Sequence, residues 1–140
     1  MQIAHALTFV RDHKRGVLTT LKADGRPQLS NIIYAVDGDT VRISITADRA
    51  KARNAARDRR VSLHVTSDDF WSYVVLEADA ELSPVAATPD DATVTELVEL
   101  YRAMAGEHPD WDDYRASMVR DQRLVLRLRP THAYGMLPTP

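Results

Sequence analysis

Residues 16–46 alternate apolar and polar side chains in three short segments, and tight-turn signals separate the segments. A period of two residues is typical of a β-strand with one buried face. Asp-Gly pairs are typical of the turns that join antiparallel neighbours. We therefore predict an antiparallel meander. Its strands are GVLTTLK at 16–22, QLSNIIYAV at 28–36 and TVRISIT at 40–46.

The rest of the chain adds helices and further strands to this meander. Because hairpin-linked strands pair as antiparallel neighbours and closure removes sheet edges, we predict a small six- to seven-stranded β-barrel with flanking helices. The further predicted elements are a helix ending before Gly16, a short helix capped by Asp48, strands at 61–66 and 70–82, a helix beginning at Pro89 with Thr88 as its cap, a helix at 111–122, and strands at 123–129 and 131–137 before a proline-rich end.

Chain length and composition limit the class of protein. The 140 residues suit one domain spanning 1–140. The sequence contains no cysteine, which excludes disulfides and thiolate metal sites. The first residues are too polar for a signal peptide, and no apolar run approaches the roughly 18 residues of a membrane helix. We expect a soluble, cytoplasmic protein without a membrane partner.

Six of the eighteen basic residues lie in the segment TADRAKARNAARDRRV at 46–61. This segment follows a strand that ends with Ser44 and Thr46, and it places Arg49 and Lys51 at the beginning of a helix. Helix N-termini favour anions, and charged side chains there add strong hydrogen bonds, so the junction is a candidate anion site. The alternative is a solvated, charged helix face, as most charge runs are.

A nucleic-acid partner is not expected for this basic segment. The formal net charge of the whole chain is −2, whereas nucleic-acid-binding domains carry a basic excess over a face. No exposed aromatic residues alternate with the charges of the segment, as they do in single-strand binders. We therefore weigh only the anion site against the solvated helix face.

No familiar catalytic motif is present in the sequence. There is no glycine-rich phosphate loop, no nucleophile elbow, and no histidine spacing typical of metal ligands, so we expect no metal. His64 lies in a strand and is interpreted as a structural or surface residue rather than a catalytic one. Trp71 and Tyr73 alternate along the fifth strand, where large aromatics are core residues by default; the alternative is an interface or a planar ligand. An enzyme without its own nucleophile or base would rely on a cofactor.

Four segments resemble one protein family over about residues 5–137. They are GVLTTLKADGRPQLSNIIY, RISITADRAKARNAARDRRVSLHV, WSYVVLEADAELSPVAATPDDATV and YRAMAGEHPDWDDYRASMVRDQRLVLRL. They resemble the pyridoxamine-phosphate-oxidase-like split-barrel superfamily and, more closely, its actinobacterial branch that uses the deazaflavin coenzyme F-420. The most specific pieces are G-R-P-Q-L-S-N, R-A-K-x-R-N and A-G-E-H-P-D-W-D-D-Y.

This resemblance implies a homodimer of six-stranded split barrels with two cofactor sites at the interface. By resemblance, Arg49 and Lys51 match the basic pair that holds the cofactor phosphate and its acidic tail. Trp71 and Tyr73 match aromatics that reach the site, from the neighbouring subunit. The other matched cofactor-binding positions are Gln28, Ser30 and Asn31 facing the ring, Ser44 and Thr46 at the strand end beside the ring and its ribityl chain, and Asn54 at the end of the basic motif.

Two departures from the family's pattern narrow the implied function. Pyridoxamine-phosphate oxidases carry extra C-terminal basic residues, for which the ending THAYGMLPTP leaves little room, so we disfavour that substrate. The compressed R-A-K spacing favours the deazaflavin with its anionic tail over FMN. We expect an F-420-dependent reductase that transfers hydride to a small electron-poor acceptor, with no assignable catalytic acid. The alternatives are an FMN enzyme of the same fold and a non-catalytic cofactor or tetrapyrrole carrier.

Overall fold

The computed structural model describes residues 1–138 of the protein, and residues 139 and 140, at the end of the proline-rich tail, lie outside the described part. Its helices are α1 (Ile3–Arg11), α2 (Ala50–Arg57), α3 (Ala92–Ala105) and α4 (Trp111–Arg120). Its strands are β1 (Arg15–Leu21), β2 (Pro27–Ile33), β3 (Ala35–Asp37), β4 (Thr40–Thr46), β5 (Arg60–Thr66), β6 (Tyr73–Leu82) and β7 (Arg123–Met136).

All seven strands form one antiparallel sheet in the order β2-β1-β5-β6-β7-β4-β3. The two outermost strands, β2 and β3, are separated in sequence by Tyr34 alone. A sheet whose outer strands are joined by a single residue must curl until those strands meet. The result is a curled half-barrel in which β2 and β3 meet at Tyr34 and the sheet stays open away from that residue. This architecture confirms the predicted split barrel.

The interior of the curled sheet holds the main hydrophobic core. Alternate residues of the central strands are fully buried there, including Leu18, Leu63 and Leu126. Helix α1 packs against this core, and the buried Tyr34 hydroxyl donates a 2.6 Å hydrogen bond to the carbonyl of Val10 in α1. This bond holds α1 to the junction at which the sheet closes.

Helices α3 and α4 cover the outer surface of β7 through a second apolar cluster. Val94 and Leu97 of α3 and Met118 of α4 pack on Val125 of β7. The sequence predicts Thr88 as the cap of α3, and that prediction is wrong. Asp91 is the cap instead, because its carboxylate accepts a 2.8 Å hydrogen bond from the N–H of Val94.

Several of the predicted strands have different boundaries in the structure. Segments 123–129 and 131–137 form one continuous strand, β7. Pro130 adjoins a bulge at Thr131 opposite β6, where a missing N–H is tolerated. The predicted strand 28–36 instead divides at Tyr34 into β2 and β3. The strand predicted at 70–82 begins only at Tyr73, as β6, after a turn at 67–72 in which Phe70 has a positive φ of 78°.

None of the helices found among residues 1–138 is both long enough and apolar enough to cross a lipid bilayer.

Candidate functional site

The junction between β4 and α2 places the basic segment at the end of the sheet. The N–H of Arg49 donates to the carbonyl of Thr46 at 3.2 Å, and the N–H of Ala47 donates to the carbonyl of Gln122 at 3.0 Å. The sequence predicts Asp48 as the cap of α2, but Arg49 takes the cap position and no side chain caps the helix. The first N–H groups of α2 therefore stay available to an external acceptor.

Arg123, the first residue of β7, is brought to this junction by strand pairing. Arg123 is the direct cross-strand partner of Thr46 in the β4–β7 ladder. Its guanidinium Nη1 donates a 3.1 Å hydrogen bond to Ser44 Oγ. Sequence reasoning misses Arg123, because only the pairing of β4 with β7 places it near Arg49 and Lys51.

Arg49, Lys51 and Arg123 form what we call the cation cluster. The pKa of Lys51 lies below its usual value, first because of burial and then because of the positive charges of Arg49 and Arg123. Within residues 1–138, none of the three cations forms an ion pair, whereas Arg42 and Arg127 share the carboxylate of Glu96. Uncompensated like charges at one place create a positive potential that attracts an anion.

Two buried donors at the same junction have no hydrogen-bond partner among the described residues. They are the hydroxyl Oγ1 of Thr46 and the guanidinium Nε of Arg123. A buried donor without an acceptor costs roughly 1–3 kcal/mol, so such groups mark places where a ligand or water supplies the acceptor. A phosphate, with several acceptor oxygens and negative charge, fits this donor set; a cation does not.

The remaining arginines of the basic segment bond to the protein itself. Arg53 donates to the carbonyl of Asp48, and Arg59 donates to the carbonyl of Ala80. Arg60 forms a 2.8 Å ion pair with Asp58. The basic segment is therefore divided between Arg49 and Lys51, which lack carboxylate partners in the described chain, and residues that serve local structure.

Asn54, Gln28 and Ser30 lie in a chain of hydrogen bonds that joins α2 to the sheet. The buried Asn54 amide donates to Thr20 Oγ1 at 3.1 Å and accepts from Arg57 at 2.9 Å. Thr20 donates in turn to Gln28 Oε1 at 3.0 Å, and Gln28 Nε2 donates to Ser30 Oγ at 2.8 Å. In this chain Asn54 positions α2, and with it Lys51, while the half-buried Gln28 and Ser30 lie on edge strand β2.

Asn31, Trp71 and Tyr73 lie on a different part of the outer surface. Asn31 and His64 line a cavity of about 550 Å³ on the outer side of β1, β2 and β5. Tyr73, Trp71 and the same His64 line an adjoining cavity of about 340 Å³. Trp71 is 75% exposed, so its default interpretation as a core residue is wrong. Neither cavity is lined by a member of the cation cluster, so Asn31, Trp71 and Tyr73 lie apart from that cluster within one chain.

Asn31, Trp71 and Tyr73 lie on or beside a broad exposed surface that we call the apolar face. Large hydrophobic side chains on β2, β7 and the 67–72 turn point outwards there. The face consists of Leu29, Ile33, Phe70, Trp71, Tyr134 and Met136, which are 47–75% exposed. Contiguous apolar surface of this kind is characteristic of sites that bind another molecule.

Comparison with known proteins agrees with this fold. The profile of the family described as pyridoxamine 5'-phosphate oxidase matches residues 3–137. A conserved hypothetical protein from Mycobacterium tuberculosis has a similar structure, with 23% identity, a TM-score of 0.75, and coverage of 100% of this chain and 91% of that chain. An F-420 reductase is 24% identical with a TM-score of 0.65, covering 86% of this chain and 89% of that chain.

A heme storage protein from Vibrio cholerae also shares the fold, with 16% identity, a TM-score of 0.70, and coverage of 97% of this chain and 96% of that chain. Proteins of this architecture therefore differ in the molecule they bind, and the similarity to these structures shows the fold alone. The family profile, in contrast, spans nearly the whole sequence. The chain belongs to the pyridoxamine 5'-phosphate oxidase family.

Proposed function

We propose that this protein binds the deazaflavin coenzyme F-420 and uses it to reduce a small, electron-poor organic acceptor. The observation that carries this proposal is the cation cluster, in which Arg49, Lys51 and Arg123 lie together without a carboxylate partner in residues 1–138. Like charges repel, so such a cluster is maintained where an anionic ligand compensates the repulsion.

The charged arm of the cofactor fits the donors of the cluster. Guanidinium groups form bidentate hydrogen bonds with phosphate oxygens, and an ammonium group adds a point charge. Arg49, Lys51 and Arg123 would hold the phosphate and the acidic tail, with the hydroxyl of Thr46 as a further donor. Three cations exceed the need of one phosphate, which favours a ligand with additional negative charge.

The opening in the curled sheet offers a place for a planar ring. Among the described residues, β2 pairs only with β1, and the ladder between β3 and β4 ends at Arg42. The last residues of β4, including Ser44 and Thr46, therefore pair only with β7. The carbonyl of Thr46 already accepts from the N–H of Arg49, and the carbonyl of Ser44 lies 3.5 Å from Arg123 Nη1. The side-chain hydroxyls of Ser44 and Thr46 are therefore the ring-positioning candidates at this edge.

The chemistry of the proposed reaction comes from the cofactor, which when reduced supplies a hydride to the acceptor. The protein binds the charged arm, orients the ring and limits water around it. Among residues 1–138, no carboxylate forms an ion pair with the cation cluster, so we assign proton delivery to solvent.

We further propose that a second copy of the chain covers the apolar face and completes the site. Asn31, Trp71 and Tyr73 lie on or beside this face, apart from the cation cluster of their own chain. Pairing of two copies would bring these residues towards the cation cluster of the other copy. The exposed hydrophobic area supports such pairing, because burying it stabilises a dimer by roughly 25 cal/mol per Å².

FMN is the alternative cofactor, and tetrapyrrole carriage is the alternative non-catalytic function. The family name and the heme storage protein of the same fold make both worth testing. FMN has no acidic tail, so it leaves part of the cluster's charge uncompensated. A tetrapyrrole presents carboxylates without a phosphate, and it would show no turnover.

The decisive experiment is a fluorescence titration of the purified protein with F-420, with FMN and with a tetrapyrrole. We expect tight binding of F-420, and the double variant Arg49→Ala/Lys51→Ala should weaken it by about 100-fold or more, since each charged hydrogen bond is worth roughly 1.5–3 kcal/mol. Lys22→Ala/Arg129→Ala is the matched control, because it removes the same charges from exposed positions outside the cluster.

A panel of electron-poor acceptors with reduced F-420 then tests catalysis separately from binding. Oxidation of the cofactor by at least one acceptor, dependent on the protein, supports the reductase. Tighter binding of FMN than of F-420, or equal binding by the double variant, would refute the cofactor assignment. Binding of F-420 without turnover of any acceptor in the panel would refute the reductase and indicate that the protein is a non-catalytic cofactor carrier.

A further inference from the structure

Arg123 is held in a fixed orientation at the cation cluster. Its Nη1 donates to Ser44 Oγ at 3.1 Å, and its backbone pairs with Thr46 in the β4–β7 ladder. The adjacent hydrogen bond from the N–H of Ala47 to the carbonyl of Gln122 ties the two turns together. A guanidinium that is already oriented loses less conformational entropy when it binds a ligand.

The three cations lie at different depths. Arg49 is exposed at the cap position of α2, whereas Lys51 and Arg123 are half-buried. The Nε of Arg123 is fully buried and, within residues 1–138, has no acceptor. The cluster therefore has an outer cation and two inner cations, which an extended anion would meet in turn.

Hydrogen bonding to Ser44 alone does not explain an arginine at position 123. A neutral glutamine would offer an N–H donor on this strand without repelling Lys51. The positive charge of Arg123 instead depresses the pKa of Lys51, after the effects of burial and of Arg49. Retaining a destabilising charge at a half-buried position points to a ligand that needs it.

We propose that Arg123 is a third anion-binding residue, which together with Lys51 holds the phosphate group of the ligand, while Arg49 holds negative charge that extends beyond the phosphate. This inference rests on the proposed function for the identity of the cofactor, but the phosphate contact itself does not depend on that identity. The ligand class is a phosphate ester that carries an acidic extension.

The test separates the phosphate from the extension. One probe is inorganic phosphate, whose binding is detected by the NMR signal of the Lys51 side chain. The other probes are F-420 with one glutamate and F-420 with several glutamates, whose binding is detected by fluorescence. Arg123→Gln should weaken phosphate and both cofactor forms by about tenfold or more, to a similar degree. Arg49→Gln should weaken the long-tailed form more than the short-tailed form. Arg129→Gln, from an exposed position of β7, is the matched control.

Further readouts distinguish ligand binding from a structural role of Arg123. Arg123→Gln should raise the pKa of Lys51, and Arg123→Lys should restore part of the lost affinity. Ser44→Ala keeps all three charges and removes the hydroxyl that anchors Arg123, leaving its 3.5 Å contact to the Ser44 carbonyl, so it should give a smaller loss of phosphate affinity than Arg123→Gln. If Arg123→Gln does not fold, Ser44→Ala must still weaken phosphate binding; an unchanged affinity in that variant would overturn the proposal.

Failure of the proposed role of Arg123 and failure of the F-420 assignment would give different experimental results. Unchanged phosphate affinity and an unchanged Lys51 pKa in folded Arg123→Gln would overturn the role of Arg123, even if F-420 binds. Equal losses for both tail lengths in Arg49→Gln would overturn the division between inner and outer cations. Phosphate binding that depends on Arg123, in a protein that does not bind F-420, would support the anion site and refute the cofactor.

Discussion

Thr46 and Arg123 lie directly opposite each other in the β4–β7 ladder, although they are far apart in the sequence. This pairing brings a cation from the last strand to the helix that carries Arg49 and Lys51. The site therefore depends on the topology of the sheet as much as on the basic segment.

The affinity for F-420 should fall with rising pH because Lys51 must be protonated to bind an anion. Burial and the charges of Arg49 and Arg123 lower the pKa of Lys51 from its usual 10.5. The decline should therefore begin at a lower pH than for an ordinary lysine, and affinity should be highest where Lys51 is fully charged. Fluorescence titrations across the alkaline range measure this, and Lys51→Arg, which stays charged, should remove the decline. An identical decline in Lys51→Arg would assign the titration to another group.

Asn54→Ala should destabilise the protein and weaken ligand binding together. The change removes the buried bond to Thr20, which keeps its bond to Gln28, and the bond from Arg57, which keeps its bond to the carbonyl of Leu21. We therefore expect a loss of about 0.5–1.5 kcal/mol in the free energy of unfolding. Because Asn54 holds α2 against β1, Lys51 should also be less well oriented for ligand binding in this variant. Urea unfolding and the cofactor titration measure the two effects. Asn31→Ala, at an exposed position, should change stability by less than about 0.5 kcal/mol.

Tyr34→Phe should reduce stability without changing the cation cluster. The variant loses the buried 2.6 Å hydrogen bond to Val10 that holds α1 at the junction of β2 and β3. The carbonyl of Val10 also accepts from the N–H of His13, so the expected loss is only about 0.5–1.5 kcal/mol. Thermal or urea unfolding measures it, with Tyr134→Phe on the exposed face as the control. A loss of anion affinity in Tyr34→Phe would show that the junction and the site are coupled.

Charges introduced into the apolar face should separate the proposed dimer into monomers. Leu29 and Met136 are 60% and 62% exposed in the single chain, so Leu29→Glu/Met136→Glu is compatible with the fold of the monomer. Sedimentation velocity should show a dimer for the unaltered protein and a monomer for the variant. Val85→Glu, at an exposed position outside the face, should remain dimeric. A monomeric unaltered protein would contradict the composite site.

The fold follows from local sequence patterns more completely than the site does. Alternation and turn residues predict the strands, since both act between near neighbours. The break at Tyr34 and the continuity of β7 through Pro130 are not visible locally, because a buried tyrosine and a bulge depend on partner strands. The exposure of Trp71 also escapes prediction, since hydrophobicity alone does not distinguish a core from an interface.

From the residues alone, the sequence indicates a candidate anion site only within the basic segment, and the binding role of that site stays a prediction. Arg49 and Lys51 are recognisable because they adjoin a strand end and begin a helix. Arg123 is not recognisable, because its neighbours in space come from a distant part of the chain. Asn54 is recognised as the end of the R-A-K-x-R-N motif. Its hydrogen bond to Thr20 cannot be predicted locally, because only the packing of α2 on β1 creates it.

The most direct measurement is a crystal structure of the protein grown with coenzyme F-420. We predict that the cofactor phosphate lies within hydrogen-bond distance of Lys51 and Arg123, that Arg49 meets the acidic tail, and that the ring occupies the opening beside the end of β4. A cofactor bound elsewhere, with the three cations directed into bulk water, would contradict the central claim.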